Sequence, residues 1–512
     1  MAAVRCARIG GMIRTIALAA ILAAAPAAAQ EIHSHAADLG TVHFATSCSQ
    51  AAQPHFAHAM ALLHSFEFGP SRQAFTEAVD EDPGCAIALW GVALTYWGNP
   101  FATGIKPPAA IRAGKTAIDR AEAIGAKTDR ERAYIGAAAK LFDPAEPDQR
   151  ARMIAYRDAM AAAAAKFSDD PEASTFYALA LASAASPNDK TYADQLKAGA
   201  ILEKLWPQQP QHPGLAHYII HAYDVPALAG RAVDAARRYG KIAPVAPHAL
   251  HMPSHTFTRL GYWQESIDTN LLSVTAARKA NNVGEELHAS DYLEYAYLQL
   301  GDFDAARRIR DSLPEIAARL NAGAAVGAAP GTSSAYALAA IPARYALERG
   351  AWAEAAALEV HPSTTLYADA ITWFARAVGA ARSKDPALLA GAQKNIDELQ
   401  SLTDRLAQAN EPYWAEQVTI QRLVASAWLS LAQGGSERAL ALMREAADRE
   451  DRTEKSVVTP GPLAPAHELL GEMLLELKRP HDALAEFDKT MTKEPNRLRA
   501  RKGAEAARAP AR

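Results

Sequence analysis

The stretch LGEMLLELKRPHDALAEFDKTMTKEP, residues 470–495, alternates small and large apolar residues at the spacing of two packed helices. Gly471 and Ala483 are small enough to let two helices approach closely, and Leu474 and Phe487 fill the space between them. The proline at the end of the stretch does not continue a helix, so it closes the unit. This pattern predicts a helical hairpin near the C-terminal end of the chain.

The same spacing recurs near the start of the chain, at Ala59, Leu62, Phe75, Ala78 and Pro83. With this order of residues the sequence resembles the tetratricopeptide (TPR) superfamily, whose repeats are helix-turn-helix units of 34 residues. Weaker matches follow at 257–266, 292–305 and 352–356, whereas 128–205 is helical by periodicity but fits the repeat poorly. The resemblance implies an all-α superhelical solenoid of TPR-like helical hairpins, with a concave face that binds a partner or ligand.

Changes in composition divide the chain into ten segments. We predict a signal peptide at 1–29, a polar arm at 30–46, N-terminal TPR-like repeats at 47–127, divergent helical hairpins at 128–207, histidine-rich TPR-like repeats at 208–320, a small-residue loop at 321–334, TPR-like hairpins at 335–450, a proline-rich loop at 451–463, a C-terminal TPR at 464–497 and a basic tail at 498–512.

The N-terminal segment is typical of a cleavable export signal. Arg5, Arg8 and Arg14 precede an apolar run at 16–25, and the small residues Ala27-Ala28-Ala29 follow it. No later segment is long and apolar enough to cross a bilayer, so we expect a periplasmic or secreted protein without a transmembrane segment. Loss of the signal takes the formal net charge from −4 to −7, which argues against a nucleic-acid partner.

Two cysteines remain after the signal, Cys48 and Cys85. In an oxidising compartment they offer one disulfide. The TPR resemblance places them at the starts of equivalent helices in adjoining repeats, which run side by side, and therefore implies that they are bonded.

Two histidine pairs carry the candidate site. His217 and His221 lie in HYIIH, His251 and His255 lie in HMPSH, and the two pairs are one 34-residue repeat apart. An i,i+4 pair shares one face of a helix, and His248 extends the second pair by one turn. We therefore expect these imidazoles to converge across one groove.

Pro253 lies inside the second pair. A proline within a helix removes one hydrogen bond and clashes with the carbonyl four residues earlier, so we expect the helix to kink or to begin there.

The TPR resemblance also implies which positions of each first helix face a ligand. Applied to three consecutive repeats, it predicts the ligand-facing side chains His217, His221, His248, His251, His255, His288, Asp291 and Tyr295.

Three interpretations of the histidines remain open. They could be structural residues satisfied by carboxylates such as Asp224 or Glu265. They could line a groove for an anionic peptide or small ligand. They could bind a transition metal, Zn, Cu or Ni, through His217, His221, His248, His251 and His255, with Asp291 or Glu265 as a further ligand or general base.

The motifs of common enzyme classes are missing from the sequence. It contains no HExxH, no G-x-S-x-G, no P-loop and no dinucleotide fingerprint, which favours a role other than catalysis. The sequence thus predicts an exported TPR scaffold that holds a peptide, a protein or a small ligand on its concave face. The alternative is a histidine-cluster metal protein, in one form a metal-dependent hydrolase.

Overall fold

The computed structural model describes residues 37–102, 105–320 and 327–509, and these parts of the chain are helical, with no β-strand among them. Successive helices pack against each other as hairpins along the chain, so the predicted all-α solenoid of TPR-like hairpins is confirmed. The predicted signal peptide at 1–29 lies outside the described residues.

The described residues form a long series of α-helices with four short 3₁₀ turns. The α-helices in chain order are α1 Gln53–His64, α2 Phe68–Glu81, α3 Ala86–Trp97, α4 Pro108–Ile124, α5 Asp129–Ala139, α6 Gln149–Lys166, α7 Pro171–Ala184, α8 Ala193–Leu205, α9 Pro213–Ala222, α10 Val233–Ile242, α11 Pro247–His251, α12 Pro253–Leu260, α13 Trp263–Lys279, α14 Val283–Leu300, α15 Phe303–Ala318, α16 Gly331–Glu348, α17 Trp352–Ala356, α18 Leu366–Arg382, α19 Pro386–Leu389, α20 Ala392–Gln408, α21 Pro412–Ala432, α22 Ser436–Asp451, α23 Ala466–Glu476, α24 Pro480–Lys493 and α25 Leu498–Arg508. The 3₁₀ turns are Ala37–Leu39, Lys140–Phe142, Trp206–Gln208 and Ala229–Ala232.

Prolines begin several of the helices that carry histidines. Pro213, Pro247 and Pro253 occupy the first positions of α9, α11 and α12. A backbone N–H at this position would have no acceptor within the helix, so proline costs no hydrogen bond there. Gly261 ends α12 in the left-handed region at a φ of 68°, which glycine adopts without a steric penalty. The sequence therefore fixes short helices with defined ends around the candidate site.

Two large apolar cores lie in the two halves of the chain. The first extends from Leu39 to Phe257, and the second extends from Tyr336 to Ala504. Smaller clusters around Trp263 and Val283 lie between them. The candidate histidines fall in α9 to α14, where the first core ends.

The second half of the chain folds back onto this histidine-bearing region. Gly261 lies so close to Pro495 that a Cβ atom on it would collide with the Pro495 carbonyl oxygen, and Trp263 Nε1 donates to the carbonyl of Asn496 at 3.1 Å. In the loop between α22 and α23, the carbonyl of Thr459 accepts a hydrogen bond from Tyr292 at 3.0 Å. The interior of the solenoid is therefore filled by protein beside the histidines.

Three segment predictions need correction. The described part of the arm is packed, since Phe44 is buried and stacks on Trp90 with ring centroids 5.6 Å apart. The small-residue loop ends earlier than predicted, because α16 begins at Gly331. The basic tail is a helix, α25, over the described residues 498–508, because its alanines pack into the second core.

The structure pairs Cys48 with Cys85 in a disulfide whose Cα atoms are 4.8 Å apart. Cys85 directly precedes α3, and Cys48 lies just before α1, so the bond joins the starts of equivalent helices. Over the described residues, no helix combines the length and the apolar character needed to cross a membrane.

Candidate functional site

Six histidines converge from four helices. Helix α9 carries His217 and His221, α11 carries His248 and His251, α12 carries His255, and α14 carries His288. All six are buried, with at most 7 % of the residue exposed, as in His221. The predicted convergence of the two histidine pairs is present.

The helix break at Pro253 is present as well. Helix α11 ends at His251 and α12 begins at Pro253, with Met252 as the only residue between them. Thr269 Oγ1 donates to the carbonyl of Leu250 near this break. The break leaves His251 and His255 with their ring centroids 5.0 Å apart and their planes at 81°.

The six histidines form two adjacent groups of three. The first triad is His217, His221 and His248, and the second triad is His251, His255 and His288. Within each triad one nitrogen per ring lies within 4.8 Å of the others. The ring centroids of His221 and His255 are 6.1 Å apart, so the two triads form one continuous cluster.

The hydrogen bonds of the second triad fix the positions of its ring protons. Asn270 donates through its amide nitrogen to the carbonyl of Ser266, so its oxygen faces His251 Nδ1 at 2.8 Å and accepts a proton from it. Asp224 Oδ2 lies 2.9 Å from His255 Nδ1, and a carboxylate only accepts. Both rings therefore carry their proton on Nδ1.

The Nε2 atoms of these two rings therefore carry no proton, and they face each other. His251 Nε2 and His255 Nε2 are 3.1 Å apart. Burial lowers the pKa of His251 well below 6.5, and it lowers the pKa of His255 although Asp224 opposes the shift. Two neutral rings then direct lone pairs at each other without a proton between them. A cation bound by both nitrogens removes this repulsion.

The spacing of the nitrogens fits such a cation. Bonds of 2.0–2.1 Å to a tetrahedral zinc place two ligand nitrogens about 3.3 Å apart. His251 Nε2 and His255 Nε2 are separated by 3.1 Å, and His217 Nε2 and His248 Nε2 are separated by 3.2 Å. Each triad thus contains one pair at about the separation that tetrahedral coordination requires.

The first triad offers free nitrogens in the same way. His217 Nδ1 donates to the carbonyl of His64 at 2.7 Å, which leaves Nε2 as an acceptor. Both ring nitrogens of His221 are buried without a hydrogen-bond partner among the described residues, and the ring stacks on Phe101 at 4.0 Å. Burial lowers the pKa of His221 well below 6.5 and that of His248 to about 3, so both rings are neutral.

A charged network supports the second triad from behind. Burial alone would raise the pKa of Asp224, but Lys455 and Arg259 beside it hold that pKa well below its usual value. Arg259 Nε lies 2.9 Å from Asp224 Oδ1, and Lys455 Nζ lies 3.3 Å from Asp224 Oδ2. An ionised carboxylate that accepts from a ligating histidine fixes the orientation of the ring and increases its basicity.

Two further carboxylates lie beside the first triad. Glu285 Oε2 is 3.5 Å from His248 Nδ1, and burial raises the pKa of Glu285. Burial raises the pKa of Glu67 to about 8, and the nearby Glu285 adds to the rise. These groups can supply negative charge when cations enter the cluster, since a nearby positive charge favours the ionised carboxylate.

A third group, the His64–Glu172–His212 cluster, also has the composition of a metal site but uses its nitrogens internally. His64 Nε2 and His212 Nε2 lie 3.1 Å and 2.7 Å from the two oxygens of Glu172. His64 Nδ1 lies 2.9 Å from Tyr218 Oη, and His212 Nδ1 accepts from the backbone N–H of Leu215. Every ring nitrogen is occupied, so this cluster is a structural element that also positions the His64 carbonyl.

Three residues predicted for the site lie elsewhere. Asp291 Oδ1 is 2.5 Å from Arg344 Nη1, and the Tyr295 hydroxyl hydrogen-bonds to Glu494 and Arg497. Both lie further along α14 than His288, so they reach the ion pairs of the second half instead of the histidines. Glu265 is half-buried and faces Arg237 on the outside of α13, away from the histidines.

The predicted open groove also needs correction at the histidines. They are buried because the loop between α22 and α23, called here the 451–465 loop with its first residue at the end of α22, contributes Lys455 and the carbonyl that Tyr292 binds, while Phe66 and Phe101 cover the first triad. An open cleft lies on the other side of that loop, lined by Tyr336, Tyr367 and Trp414. Lys455 and Arg259 line this cleft and contact Asp224, so one layer of side chains connects it to His255.

Sequence reasoning missed Asn270, Lys455 and Glu285. Asn270 lies on α13, and only its contact with His251 identifies it. The signal for Lys455 was present, because it lies in the unusually long proline-rich loop.

The similarities of this chain to known proteins do not indicate a function. No known family model and no curated protein matches the sequence. Among solved structures, yeast Tom70 is 13 % identical with a TM-score of 0.32, covering 89 % of this chain and 88 % of that chain. The P58(IPK) TPR domain is 12 % identical with a TM-score of 0.22, covering 89 % and 97 %. Human IFIT1, a dimer with m7Gppp-AAAA, is 12 % identical with a TM-score of 0.32, covering 91 % and 90 %. At these values the similarities carry no inference about ligand or activity.

Proposed function

We propose that this chain is a metal-binding helical-repeat protein whose six clustered histidines hold two transition-metal ions, one in each triad. The observation that carries the proposal is the pair of Nε2 lone pairs on His251 and His255, 3.1 Å apart, with both Nδ1 atoms donating elsewhere. In a purely structural role a proton would lie between these nitrogens. In the His64–Glu172–His212 cluster, by comparison, a ring proton lies between each histidine and a Glu172 oxygen.

The ligand set defines the class of metal. Six neutral imidazoles without a thiolate suit zinc, copper or nickel. Copper(II) binds nitrogen ligands more tightly than nickel(II) or zinc(II) in the usual order of divalent ions, so copper should bind tightest. The ionised Asp224 and the raised-pKa pair Glu67 and Glu285 lie close enough to offset the charge of two ions.

The test is the stoichiometry of the protein purified without an affinity tag and stripped by a chelator. Titration with Cu²⁺, Zn²⁺ and Ni²⁺, read by calorimetry and elemental analysis, should give two ions per chain. A His251→Ala, His255→Ala double variant should bind one ion, and a His217→Ala, His248→Ala double variant should bind the other. Two ions in every variant would overturn the assignment.

A matched control uses histidines far from the cluster. His361 and His481 are exposed and face only nearby carboxylates. A His361→Ala, His481→Ala double variant removes the same number of imidazoles and should still bind two ions. Loss of an ion in this control would mean that surface histidines account for the binding.

A second function is favoured by the cleft beside the 451–465 loop. Tyr367 stacks on Trp414 at 3.8 Å, and the buried Trp414 Nε1–H has no partner in the described parts of the chain. This combination of stacked rings and a free donor supports the predicted scaffold role, with a peptide or small ligand in the cleft. Ligands found by thermal-shift screening should lose binding in a Trp414→Phe variant and keep it in a Trp373→Phe variant.

We further propose that the protein is exported, because the arginines and apolar run of 1–29 are typical of a signal. N-terminal sequencing of the protein recovered from its native cells tests this. A mature chain that begins near residue 30 is expected, and a chain that retains 1–29 would contradict it.

A further inference from the structure

A polar cavity lies in the second half of the chain, away from the histidines. It is formed by α20, α21 and the start of α22, and we call it the α20–α22 cavity. Its volume of about 340 Å³ falls within the range of small-molecule sites. Among its lining residues in the described chain only Ile396 and Leu429 are apolar, and none is aromatic. Walls of this composition suit a small polar ligand.

Two arginines of the cavity wall have no partner in the protein. Arg422 and Arg438 line the cavity, and within the described parts of the chain no hydrogen bond or ion pair involves either guanidinium. Arg422 is half-buried, and its Nε has no acceptor. By contrast, Arg382 in the same half of the chain donates to Glu472. A charge that is partly removed from water without a counter-ion costs free energy, and a bound anion offsets that cost.

The cavity also lies at the starts of two helices. Gln393 belongs to the first turn of α20, and Arg438 belongs to the first turn of α22. Ser430 lines the cavity as well and donates to the carbonyl of Gly435, the residue that directly precedes α22. Neither helix has a side chain that caps its first N–H groups. Because helix starts favour negative charge, they add to the attraction of the two arginines for an anion.

The other polar groups of the cavity suit hydroxyl groups of a ligand. Gln393 Nε2 donates to Asp397 Oδ1 at 2.8 Å, so the carboxylate is oriented and its Oδ2 can accept from a ligand. The side chains of Ser426 and Gln433 line the cavity without a hydrogen bond to another described residue. Asp397 would repel a second anionic group. The matching ligand therefore has one anionic end and a hydroxylated remainder.

We propose that the α20–α22 cavity binds a phosphorylated sugar. Its phosphate lies between Arg422 and Arg438, and its hydroxyl groups bind Asp397, Ser426 and Gln433. A phosphate group has three acceptor oxygens, so it can use two arginines and two helix starts more fully than a carboxylate can. The site is independent of the metal function, because none of its lining residues belongs to either histidine triad.

The first test compares four probes on the metal-free protein, namely glucose 6-phosphate, inorganic phosphate, gluconate and glucose. Calorimetry should show the tightest binding for glucose 6-phosphate, roughly 10-fold tighter than for phosphate, because the hydroxyl groups add hydrogen bonds. Gluconate should bind more weakly than glucose 6-phosphate, and glucose should bind most weakly because it lacks the charge. Equal or tighter binding of any of the other three probes would overturn the assignment.

A pair of matched variants locates the phosphate. Arg422→Gln should weaken the binding of glucose 6-phosphate roughly 10- to 100-fold, the value of a hydrogen bond to a charged group. Arg405→Gln removes the same charge from an exposed position towards the other end of α20, outside the cavity wall, and should change the affinity less than about 2-fold. Equal losses in the two variants would assign the binding to net charge and contradict the site.

Urea denaturation separates ligand binding by Arg422 from a structural role. Since its guanidinium has no partner to lose, Arg422→Gln should unfold at the same urea concentration as the wild type or at a higher one. Weaker binding accompanied by a lower unfolding midpoint would assign Arg422 to the fold and overturn its role in binding.

Asp397→Asn locates the sugar. The change removes a negative charge beside the phosphate, so inorganic phosphate should bind more tightly, while the preference for glucose 6-phosphate over phosphate should shrink. An unchanged preference would contradict the placement of the hydroxyl groups.

A histidine variant separates this site from the metal site. The His251→Ala, His255→Ala variant should bind glucose 6-phosphate as the wild type does, because neither histidine lines the α20–α22 cavity. Intact glucose 6-phosphate binding in a protein that binds no metal would overturn only the metal function. Loss of glucose 6-phosphate binding in the histidine variant would contradict the independence of the two sites.

Discussion

The two triads and the His64–Glu172–His212 cluster have similar composition and burial but opposite hydrogen bonding. In the latter, Glu172 accepts from both imidazoles and every ring nitrogen has a partner. In the second triad the partners Asn270 and Asp224 take only the Nδ1 protons, and the Nε2 atoms face each other. The difference shows that burial and histidine content do not define a metal site, whereas the direction of the free lone pairs does.

The two regions also differ in whether an ionised carboxylate lies between the histidine rings. Burial alone would raise the pKa of Glu172, but His212 and His64 hold it far below its usual value, so the carboxylate is ionised. No carboxylate lies between the rings of His251 and His255, and both remain neutral. The hydrogen bonds of the His64–Glu172–His212 cluster are satisfied without a ligand. The second triad has two facing Nε2 lone pairs that only a bound cation would satisfy.

The largest expected effect is on stability in the metal-free protein. Glu172→Ala leaves two buried histidines without their shared acceptor and should cost about 3–5 kcal/mol, the range for removing one partner of a buried ion pair. His251→Ala relieves the repulsion between two opposed lone pairs, which offsets part of the cost of the lost volume and of the lost hydrogen bond to Asn270, so it should cost less than Glu172→Ala, about 1–3 kcal/mol. Urea denaturation of both variants measures the difference.

Equal destabilisation by the two substitutions would contradict the comparison, because it would make the second triad as satisfied as the Glu172 cluster. A Glu172→Gln variant serves as control. It retains the size of the side chain and one acceptor oxygen, and should fall between the wild type and Glu172→Ala.

The next effect concerns pH. A histidine with a lowered folded pKa stays neutral in the native state while the unfolded chain binds a proton below about 6.5, so stability is lost as pH falls. Between pH 7.5 and 5.5 a histidine that stays neutral throughout in the native state contributes about 1.4 kcal/mol. The pKa of His251 is lowered well below 6.5, whereas Asp224 limits the lowering for His255, so the His251→Ala, His255→Ala variant should gain roughly 1.5–3 kcal/mol relative to the wild type over this interval.

The measurement compares the unfolding free energies of the two metal-free chains at both pH values. Glu67 and Glu285 have raised pKa values and act in the opposite direction, but both chains contain them, so most of their contribution cancels in the difference. A difference between the chains that does not change with pH would mean that His251 and His255 are already protonated or paired.

The sequence predicts part of this site because part of it is local. The i,i+4 spacing of His251 and His255, the break at Pro253 and the 34-residue offset from His217 are all readable from residue order. Residues 335–450 were predicted as TPR-like hairpins from the same kind of local pattern, and α21 and α22 form one such hairpin.

The rest depends on contacts between distant segments. Lys455 reaches Asp224 across 231 positions, and the hydroxyl of Tyr292 reaches Thr459 across 167. No periodicity encodes such contacts, so the groove that the TPR resemblance implies could not be predicted to be covered at the histidines by the 451–465 loop. Asp291 was misplaced because it lies about one turn further along α14 than His288, where it contacts Arg344 and not the histidines.

A smaller effect should follow from changing the support of a ligand without changing the ligand. Asn270→Leu removes the oxygen that accepts from His251 Nδ1, so the ring is free to move its proton to Nε2. Metal affinity of the second triad should fall 10- to 100-fold, or about 1.4–2.7 kcal/mol, while the number of ions stays at two. Calorimetric titration with Zn²⁺ measures both quantities.

Asn270→Asp provides the rescue. The carboxylate accepts from His251 as the amide oxygen does, so the affinity should return to at least the wild-type value. If the Asp variant binds as weakly as the Leu variant, Asn270 acts through packing and not through the tautomer of His251.

The smallest expected effect is that of removing the Tyr218 hydroxyl, which contacts the His64–Glu172–His212 cluster but not the first triad. Tyr218→Phe removes the hydroxyl that lies 2.9 Å from His64 Nδ1 but keeps the ring that packs beside His217. The loss of one buried hydrogen bond should cost about 1 kcal/mol in unfolding free energy. Because the His64 carbonyl that holds His217 Nδ1 belongs to the backbone of α1, the first triad should keep its geometry, and metal affinity should change less than 3-fold. A larger loss of metal affinity than of stability would show that the His64–Glu172–His212 cluster is an outer shell of the metal site, and the division between a satisfied and an unsatisfied region would fail.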